Sequence, residues 1–118
     1  MEIKEEMYAR TLDGIVKIVE LRNDGVMGRF RNEDGNIYFY NDMMCNPSFN
    51  IIDLIEVDDY VNGRLVTGFD YHKTPNKWGV LCDGDLGRPY ILITGKDIKS
   101  IVTKEQFESM EYKLWMKY

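Results

Sequence analysis

Short turn-forming dipeptides recur along the chain, and they constrain its fold more than any other feature. Asp-Gly, Asn-Gly and related pairs separate apolar runs of four to eight residues. These pairs lie at residues 13–14, 23–25, 34–35, 62–63, 83–84 and 94–95. Glycine and asparagine adopt the positive φ that two-residue hairpin turns require. Turns this closely spaced favour strands over helices.

The segments between the turns are rich in β-branched and aromatic residues, a composition typical of strands. We predict strands over residues 14–21, 26–31, 37–40, 65–71, 78–82 and 90–94. Because parallel neighbours need crossovers of roughly a dozen residues, the short connections favour antiparallel pairing. The expected sheet is a meander that curls toward a small barrel. Residues 46–55 contain a proline and fit either a short helix or a strand entry.

A helix is expected at the C-terminal end. Thr103 and Gln106 have the capping-box spacing, which predicts a helix that starts at Thr103. Apolar residues then recur at three- and four-residue steps and form one stripe: Phe107, Met110, Leu114 and Tyr118. The predicted fold class is therefore α+β, mostly antiparallel β with a C-terminal amphipathic helix. A length of 118 residues predicts a single domain over residues 1–118.

Several classes of protein are disfavoured by the sequence. Its apolar runs are shorter than the roughly 20 residues that span a bilayer, and residues 1–10 lack the features of an export signal. We therefore expect a soluble cytoplasmic protein that makes no membrane contact. The chain has no phosphate-binding loop, dinucleotide fingerprint or nucleophile elbow, so we do not expect an enzyme.

Two cysteines and one histidine are the candidate metal ligands. Zn²⁺ binds thiolate, imidazole and carboxylate groups in tetrahedral sets, and Cys45, His72 and Cys82 with one carboxylate would supply four ligands. No Cys-x-x-Cys motif is present, so the fold would have to assemble the site from separate elements. A structural zinc site therefore stands beside a second interpretation, in which both thiols are reduced and inert and the imidazole is solvated.

Acidic residues are concentrated in the first half of the chain. The formal net charge of -5 disfavours direct binding of nucleic acid. Residues 1–59 have a net charge of -7, whereas residues 60–118 have a net charge of +2. Neither of the two densest acidic windows, 32–36 and 53–59, contains a lysine or arginine. Such windows are either solvated faces or surfaces that bind a basic partner. The candidate partner-binding residues are Asp53, Glu56, Asp58 and Asp59, followed by Glu33 and Asp34.

Two stretches of the sequence carry a resemblance. Residues 52–63, Ile-Asp-Leu-Ile-Glu-Val-Asp-Asp-Tyr-Val-Asn-Gly, and residues 97–113, Asp-Ile-Lys-Ser-Ile-Val-Thr-Lys-Glu-Gln-Phe-Glu-Ser-Met-Glu-Tyr-Lys, resemble small proteins of phages and prophages of Gram-positive bacteria. In that group, glycine is common at the position of Asp58. The aspartate adds a charge to the acidic window and replaces a residue that suits a tight turn.

Small acidic phage proteins of this kind are similar to anti-CRISPR inhibitors, some of which bind the RNA-guided nuclease of type II-A systems. The resemblance implies an inhibitor that binds this nuclease through an acidic surface and blocks its DNA loading or activation. Such nucleases hold nucleic acid in basic channels, which an acidic face can occupy. Two alternatives remain open. One is a phage structural or assembly module that self-associates through a strand edge, and the other is a nucleotide-signal sponge that stacks its ligand on Tyr or Trp rings.

Overall fold

The structure, a computed structural model, describes residues 3–23, 28–73 and 76–109. The chain divides into two compact units, which we call unit 1 (Met1–Leu54) and unit 2 (Ile55–Tyr118). Every strand pairing is antiparallel, and the described strands form sheets of two, three and five strands. The prediction of a mostly antiparallel β protein is thereby confirmed. The predicted C-terminal helix is present as a short helix in the described residues. The single domain over residues 1–118 stays a prediction.

The described residues of unit 1 form five strands: β1 (Tyr8–Thr11), β2 (Gly14–Lys17), β3 (Glu20–Asn23), β4 (Gly28–Arg31) and β5 (Ile37–Phe39). β1 pairs with β2, while β3, β4 and β5 form a separate sheet in that order. The single strand predicted over residues 14–21 is two strands, because the backbone changes partners between them. The Ile18 N–H donates to the Met7 carbonyl at 2.8 Å, and the Val19 N–H donates to the Arg31 carbonyl at 2.9 Å.

The core of unit 1 lies against one face of the β3–β5 sheet. Phe30 on β4 and Tyr38 on β5 are cross-strand partners whose ring centroids lie 5.3 Å apart. They pack with Met7, Ala9 and Ile18 in one buried cluster. Since successive side chains of a strand point to opposite faces, the residues that flank Phe30 point away from this core.

Unit 2 contains the other strands: β6 (Tyr60–Val61), β7 (Arg64–Lys73), β8 (Asn76–Asp83), β9 (Tyr90–Thr94) and β10 (Ile101–Val102). Their order in the sheet is β10-β6-β7-β8-β9, so β10 returns to pair beside β6. The β7–β8 hairpin contains three register shifts, and such bulges increase local twist. None of the sheets closes into the expected small barrel within the described residues.

The Asn62–Gly63 turn confirms one of the sequence predictions. It joins β6 to β7, and its φ values of 53° and 79° lie in the left-handed region that a two-residue type I′ turn uses. Fully buried apolar side chains fill the core of unit 2: Ile55, Val61, Val66, Val80 and Cys82.

Short helical turns and one helix complete the described chain. The 3₁₀ turns span Tyr40–Asp42, Ile51–Leu54 and Gly95–Asp97, so the ambiguous segment 46–55 contains a 3₁₀ turn. Residues 104–109 form the helix α1. Its predicted capping box is confirmed, because the Thr103 N–H donates to Gln106 Oε1 at 3.0 Å and the Gln106 N–H donates to Thr103 Oγ1 at 3.3 Å.

The apolar stripe of the helix is described only at its beginning. The Phe107 ring packs on Tyr60 with 5.0 Å between ring centroids. Met110, Leu114 and Tyr118 lie outside the described residues. Within the part of the chain that the structure describes, no helix has the length and apolar character needed to cross a membrane.

Candidate functional site

The acidic window 53–59 crosses the boundary between the two units, and the structure gives its four acids different environments. Asp53 belongs to unit 1, where it is exposed on the 3₁₀ turn Ile51–Leu54. Its Oδ2 accepts a hydrogen bond from Ser48 Oγ at 2.6 Å, and the same hydroxyl oxygen accepts from the Asn50 N–H at 3.0 Å. The turn that carries the Asp53 carboxylate is thus held by local hydrogen bonds.

Glu56 has a cationic neighbour that is distant in the sequence. Lys104 Nζ lies 2.9 Å from Glu56 Oε1, and both side chains are about half-exposed. The window contains no lysine or arginine, yet the fold of unit 2 brings Lys104 to it from the first turn of α1. Glu56 is therefore both an ion-pair partner of the helix and accessible to solvent.

Asp59 is fully buried and supports the backbone around it. Its Oδ2 accepts from the Glu56 N–H at 2.8 Å, and its Oδ1 accepts from the Lys104 N–H at 2.9 Å. A carboxylate at a helix N-terminus is favourable because it satisfies a backbone N–H that lacks a helical partner. Asp59 was predicted to contact a partner. Because it is buried, it instead supports the backbone of the turn that carries Asp58.

Asp58 is the exposed tip of the turn that Asp59 supports. It has a φ of 78°, a left-handed conformation that aspartate adopts more readily than most residues. The Asp58 N–H donates to the Val66 carbonyl at 3.0 Å, and the Val66 N–H donates to the Asp59 carbonyl at 2.8 Å. The Asp58 side chain is consequently presented to solvent on a backbone that hydrogen bonds hold in place.

The second acidic window has the same construction. Glu33 and Asp34 are exposed on the turn between β4 and β5, and Asn32 beneath them is only 5% exposed. Asn32 Oδ1 accepts from the Asp34 N–H at 3.1 Å and from the Asn36 N–H at 2.9 Å. In both windows, one buried polar side chain fixes a turn on which acidic side chains are exposed.

The proposed zinc ligands lie in different parts of the chain. Cys45 is an exposed thiol in unit 1, and Cys82 is a buried thiol on β8 of unit 2. The His72 side chain lies outside the described part of the structure. No group of three or more His, Cys, Asp or Glu residues that could hold a metal occurs among the described residues. Burial raises the pKa of the Cys82 thiol, and Asp83 raises it further, so Cys82 is a protonated core residue.

One surface that the sequence analysis missed is the outer face of the β3–β5 sheet, which we call the arginine face. Its residues are Glu20, Arg22, Arg29, Arg31, Ile37 and Phe39. Arg22 Nε donates to Glu20 Oε1 at 2.8 Å, and Arg31 Nη2 donates to Glu20 Oε2 at 3.0 Å. The hydrogen bond from Arg22, and after it the bond from Arg31, holds the pKa of Glu20 below its ordinary value. The alternation in Glu-Leu-Arg and Arg-Phe-Arg could have revealed the face, because side chains two apart share one side of a strand.

Comparison with known proteins provides no relative from which to assign these surfaces, since no protein family, curated protein or solved structure matches the chain.

Proposed function

We propose that this protein is a non-catalytic inhibitor of the anti-CRISPR type, which binds a bacterial RNA-guided nuclease of the type II-A class through its acidic surface. The single observation that carries the proposal is the construction of the two acidic turns. Asn32 and Asp59 are buried and accept backbone N–H groups, while Glu33, Asp34 and Asp58 project into solvent from the turns they fix.

This construction is useful for binding because a fixed turn loses little conformational freedom when a partner docks. Exposed carboxylates also attract a basic partner over several ångströms and orient it before contact. Five of the proposed contact residues are accessible to solvent: Asp53, Glu56, Asp58, Glu33 and Asp34. Asp59 is buried and holds its turn.

The number of acids favours docking on one domain of the nuclease over imitation of a whole duplex. Duplex DNA carries one phosphate charge about every 1.7 Å along its axis. The window 53–59 contains four acids, of which Asp59 is buried, so it can cover only a small basic patch. The inhibitor would act by occupying lysines and arginines that otherwise hold nucleic acid, or by keeping one domain from moving.

The proposal is tested by co-purification with a type II-A nuclease at increasing salt, together with a DNA cleavage assay. The test variant combines Asp53→Asn with Asp58→Asn, which removes two negative charges. Asparagine tolerates the backbone conformation at both positions. The matched control is Glu5→Gln with Glu108→Gln, which removes two exposed charges outside both windows. We expect the test variant to bind at least tenfold more weakly and the control to bind like the wild type.

Three outcomes would contradict this function. The first is no binding by the wild-type protein at low salt. The second is binding that does not change between about 50 and 500 mM salt, because exposed charge pairs are screened over that range. The third is an equal loss of binding in the test and control variants, which would indicate a dependence on net charge alone.

Self-association is a second candidate function, and the edge of the unit 2 sheet favours it. β9 is an edge strand of the described sheet, and its Tyr90 and Leu92 side chains are 56% and 37% exposed. An exposed apolar edge strand can pair with the same strand of another copy. Size-exclusion chromatography with light scattering should then show a dimer that Leu92→Lys converts to a monomer. A wild-type monomer at high protein concentration would exclude this candidate.

A further inference from the structure

The arginine face presents a dense group of cations on a protein whose net charge is negative. Arg22 on β3 and Arg29 on β4 are direct cross-strand partners, and Arg31 lies two residues further along β4 on the same face. Together with Glu20 and Ile37, these arginines line an open cleft of about 350 Å³. The lining residues thus include three guanidinium groups and one carboxylate, and their summed charge is +2.

Glu20 positions two of these guanidinium groups. It accepts from Arg22 on its own strand and from Arg31 across the strand pair, at 2.8 and 3.0 Å. Arginine has five N–H donors in a rigid planar fork, so a guanidinium that is fixed through one edge can still donate through its others. The cleft is therefore suited to an anion with several oxygen atoms.

Apolar side chains flank the cations on the same face. Phe39 on β5 is the cross-strand partner of Arg29, and Ile37 is the partner of Arg31. Both are well exposed, Ile37 at 62% and Phe39 at 45%. Directly opposed residues of an antiparallel pair have their Cβ atoms on one side of the sheet, about 5 Å apart. An aromatic ring and a branched aliphatic side chain therefore stand beside the arginines.

We propose that the arginine face binds a nucleotide, with the phosphate groups on Arg22, Arg29 and Arg31 and the base against Phe39 and Ile37. Phosphate and arginine are matched because guanidinium groups donate pairs of parallel hydrogen bonds to phosphate oxygens. Bases of any sequence stack on exposed aromatic rings. The side chains of this site differ from those of the acidic windows, although window 32–36 is the turn that joins Arg31 to Ile37. The existence of the site does not depend on the proposed inhibition of a nuclease.

The size of the cleft favours a single nucleotide over a macromolecule. Pockets for small molecules begin at about 300 Å³, and the cleft of about 350 Å³ lies near this lower limit. The net charge of -5 also opposes a long nucleic acid, because the negative charge of the protein repels its phosphates.

Isothermal titration calorimetry with three probes tests the site: pyrophosphate, ADP and adenosine. Arg29→Gln should weaken both pyrophosphate and ADP by about tenfold, because it removes charged hydrogen bonds. Phe39→Ala should weaken ADP by a similar factor and leave pyrophosphate unchanged, because stacking involves only the base. Arg88→Gln is the matched control, since Arg88 is an exposed arginine of unit 2 outside the cleft.

The pattern of affinities distinguishes the proposal from its rivals. We expect ADP to bind more tightly than pyrophosphate, adenosine to bind weakly, and circular dichroism spectra of all the variants to match the wild type. Failure of ADP and pyrophosphate to bind the wild-type protein would overturn the inference. Equal losses in Arg29→Gln and Arg88→Gln would also overturn it, as would binding of a single-stranded RNA oligonucleotide without binding of ADP. These results are independent of the nuclease co-purification test, so the failure of one proposal can be distinguished from the failure of the other.

Discussion

Asp58 and Asp59 are adjacent in the sequence and have opposite roles. Asp58 is exposed at a φ of 78°, whereas Asp59 is fully buried and accepts two backbone N–H groups, one through each carboxylate oxygen. Residue type alone does not distinguish them. The Asp59 oxygens accept hydrogen bonds from the Glu56 N–H in the loop and from the Lys104 N–H at the helix N-terminus. Without Asp59, these two groups would have to bond to water.

Asp59→Asn should therefore destabilise the protein by about 2 kcal/mol, because asparagine has one acceptor oxygen for two backbone donors and no charge at the helix N-terminus. Asp58→Asn is the control, and it should change stability by less than about 0.5 kcal/mol because asparagine tolerates a positive φ. Urea unfolding followed by circular dichroism measures both. Equal stability of the two variants would contradict the supporting position of Asp59.

The two cysteines should differ in reactivity. Cys45 is exposed, while Cys82 is fully buried and burial raises the pKa of its thiol. Since the thiolate is the reactive form, an aromatic disulfide reagent at pH 8 should modify one thiol per folded chain quickly and the second only in denaturant. Cys45→Ser should abolish the fast phase, and Cys82→Ser should leave it intact. Fast modification of two thiols in the folded protein would contradict the burial of Cys82 on β8.

At the scale of the element, the Asn62 side chain stabilises the junction between two distant strands. Asn62 Oδ1 accepts from the N–H groups of Lys99 and Ser100, at 2.7 and 3.1 Å, and Asn62 Nδ2 donates to the Asp97 carbonyl at 2.9 Å. These bonds join the β6–β7 turn to the segment that leads into β10. The Asn-Gly pair thus has a second role beyond the geometry of its turn.

Asn62→Gly separates these two roles. Glycine retains the freedom to adopt a positive φ but loses the three side-chain hydrogen bonds, so we expect a loss of about 2 kcal/mol on thermal unfolding. Asp58→Gly is the matched control, because it also removes an exposed side chain at a positive φ. It should be neutral or slightly stabilising. A neutral Asn62→Gly variant would show that the side-chain bonds are individually weak in solution.

The sequence predicted the long elements of the fold better than the short ones. β9 and the beginning of α1 follow from β-branched composition and a capping box, which are local signals. β6 and β10 contain two residues each, too few for a recognisable alternation, and they exist because they pair with each other and because β6 also pairs with β7. The division of residues 14–21 into two strands likewise depends on backbone partners distant in the chain.

The acidic windows were identified from local sequence, but their ion pairing could not be. Lys104 reaches Glu56 across 48 positions, and Asp59 is buried because the first turn of α1 meets it. Counting the charges within a short window of the sequence cannot detect contacts with residues that are distant in the chain. The arginine face was missed because its charges are divided between two short strands joined by turn-rich sequence.

At the scale of the whole molecule, each unit contains a carboxylate whose pKa arginine holds low. These are Glu20 in unit 1, beside Arg22 and Arg31, and Asp85 in unit 2, beside Arg64. A carboxyl group with a lowered pKa in the folded state contributes stability at pH values above its ordinary pKa. That contribution is lost as pH falls through the lowered value.

Thermal stability should consequently be level near neutral pH and should decrease as pH falls below the ordinary values of 4.5 for Glu20 and 3.8 for Asp85. Glu20→Gln combined with Asp85→Asn should make the melting temperature fall less steeply as pH decreases. At neutral pH the melting temperature should be only slightly lower than that of the wild type, because both carboxylates are accessible to solvent. Differential scanning calorimetry from pH 7 to pH 3 measures this. An unchanged acid limb would mean that other carboxylates determine acid sensitivity.

The buried Asn32 and Asp59 have a consequence for how this protein can change over generations. Because each holds its turn from beneath, the side chains at the tip contribute little to folding. Glu33 and Asp34 can be exchanged without loss of the scaffold, and Asp58 can be exchanged for residues that tolerate a positive φ. If the proposed binding function is correct, a change in the surface of the partner could be matched by substitutions at Glu33, Asp34 or Asp58 alone. Natural variation should then be concentrated at these tips, and the two anchors beneath them should remain constant.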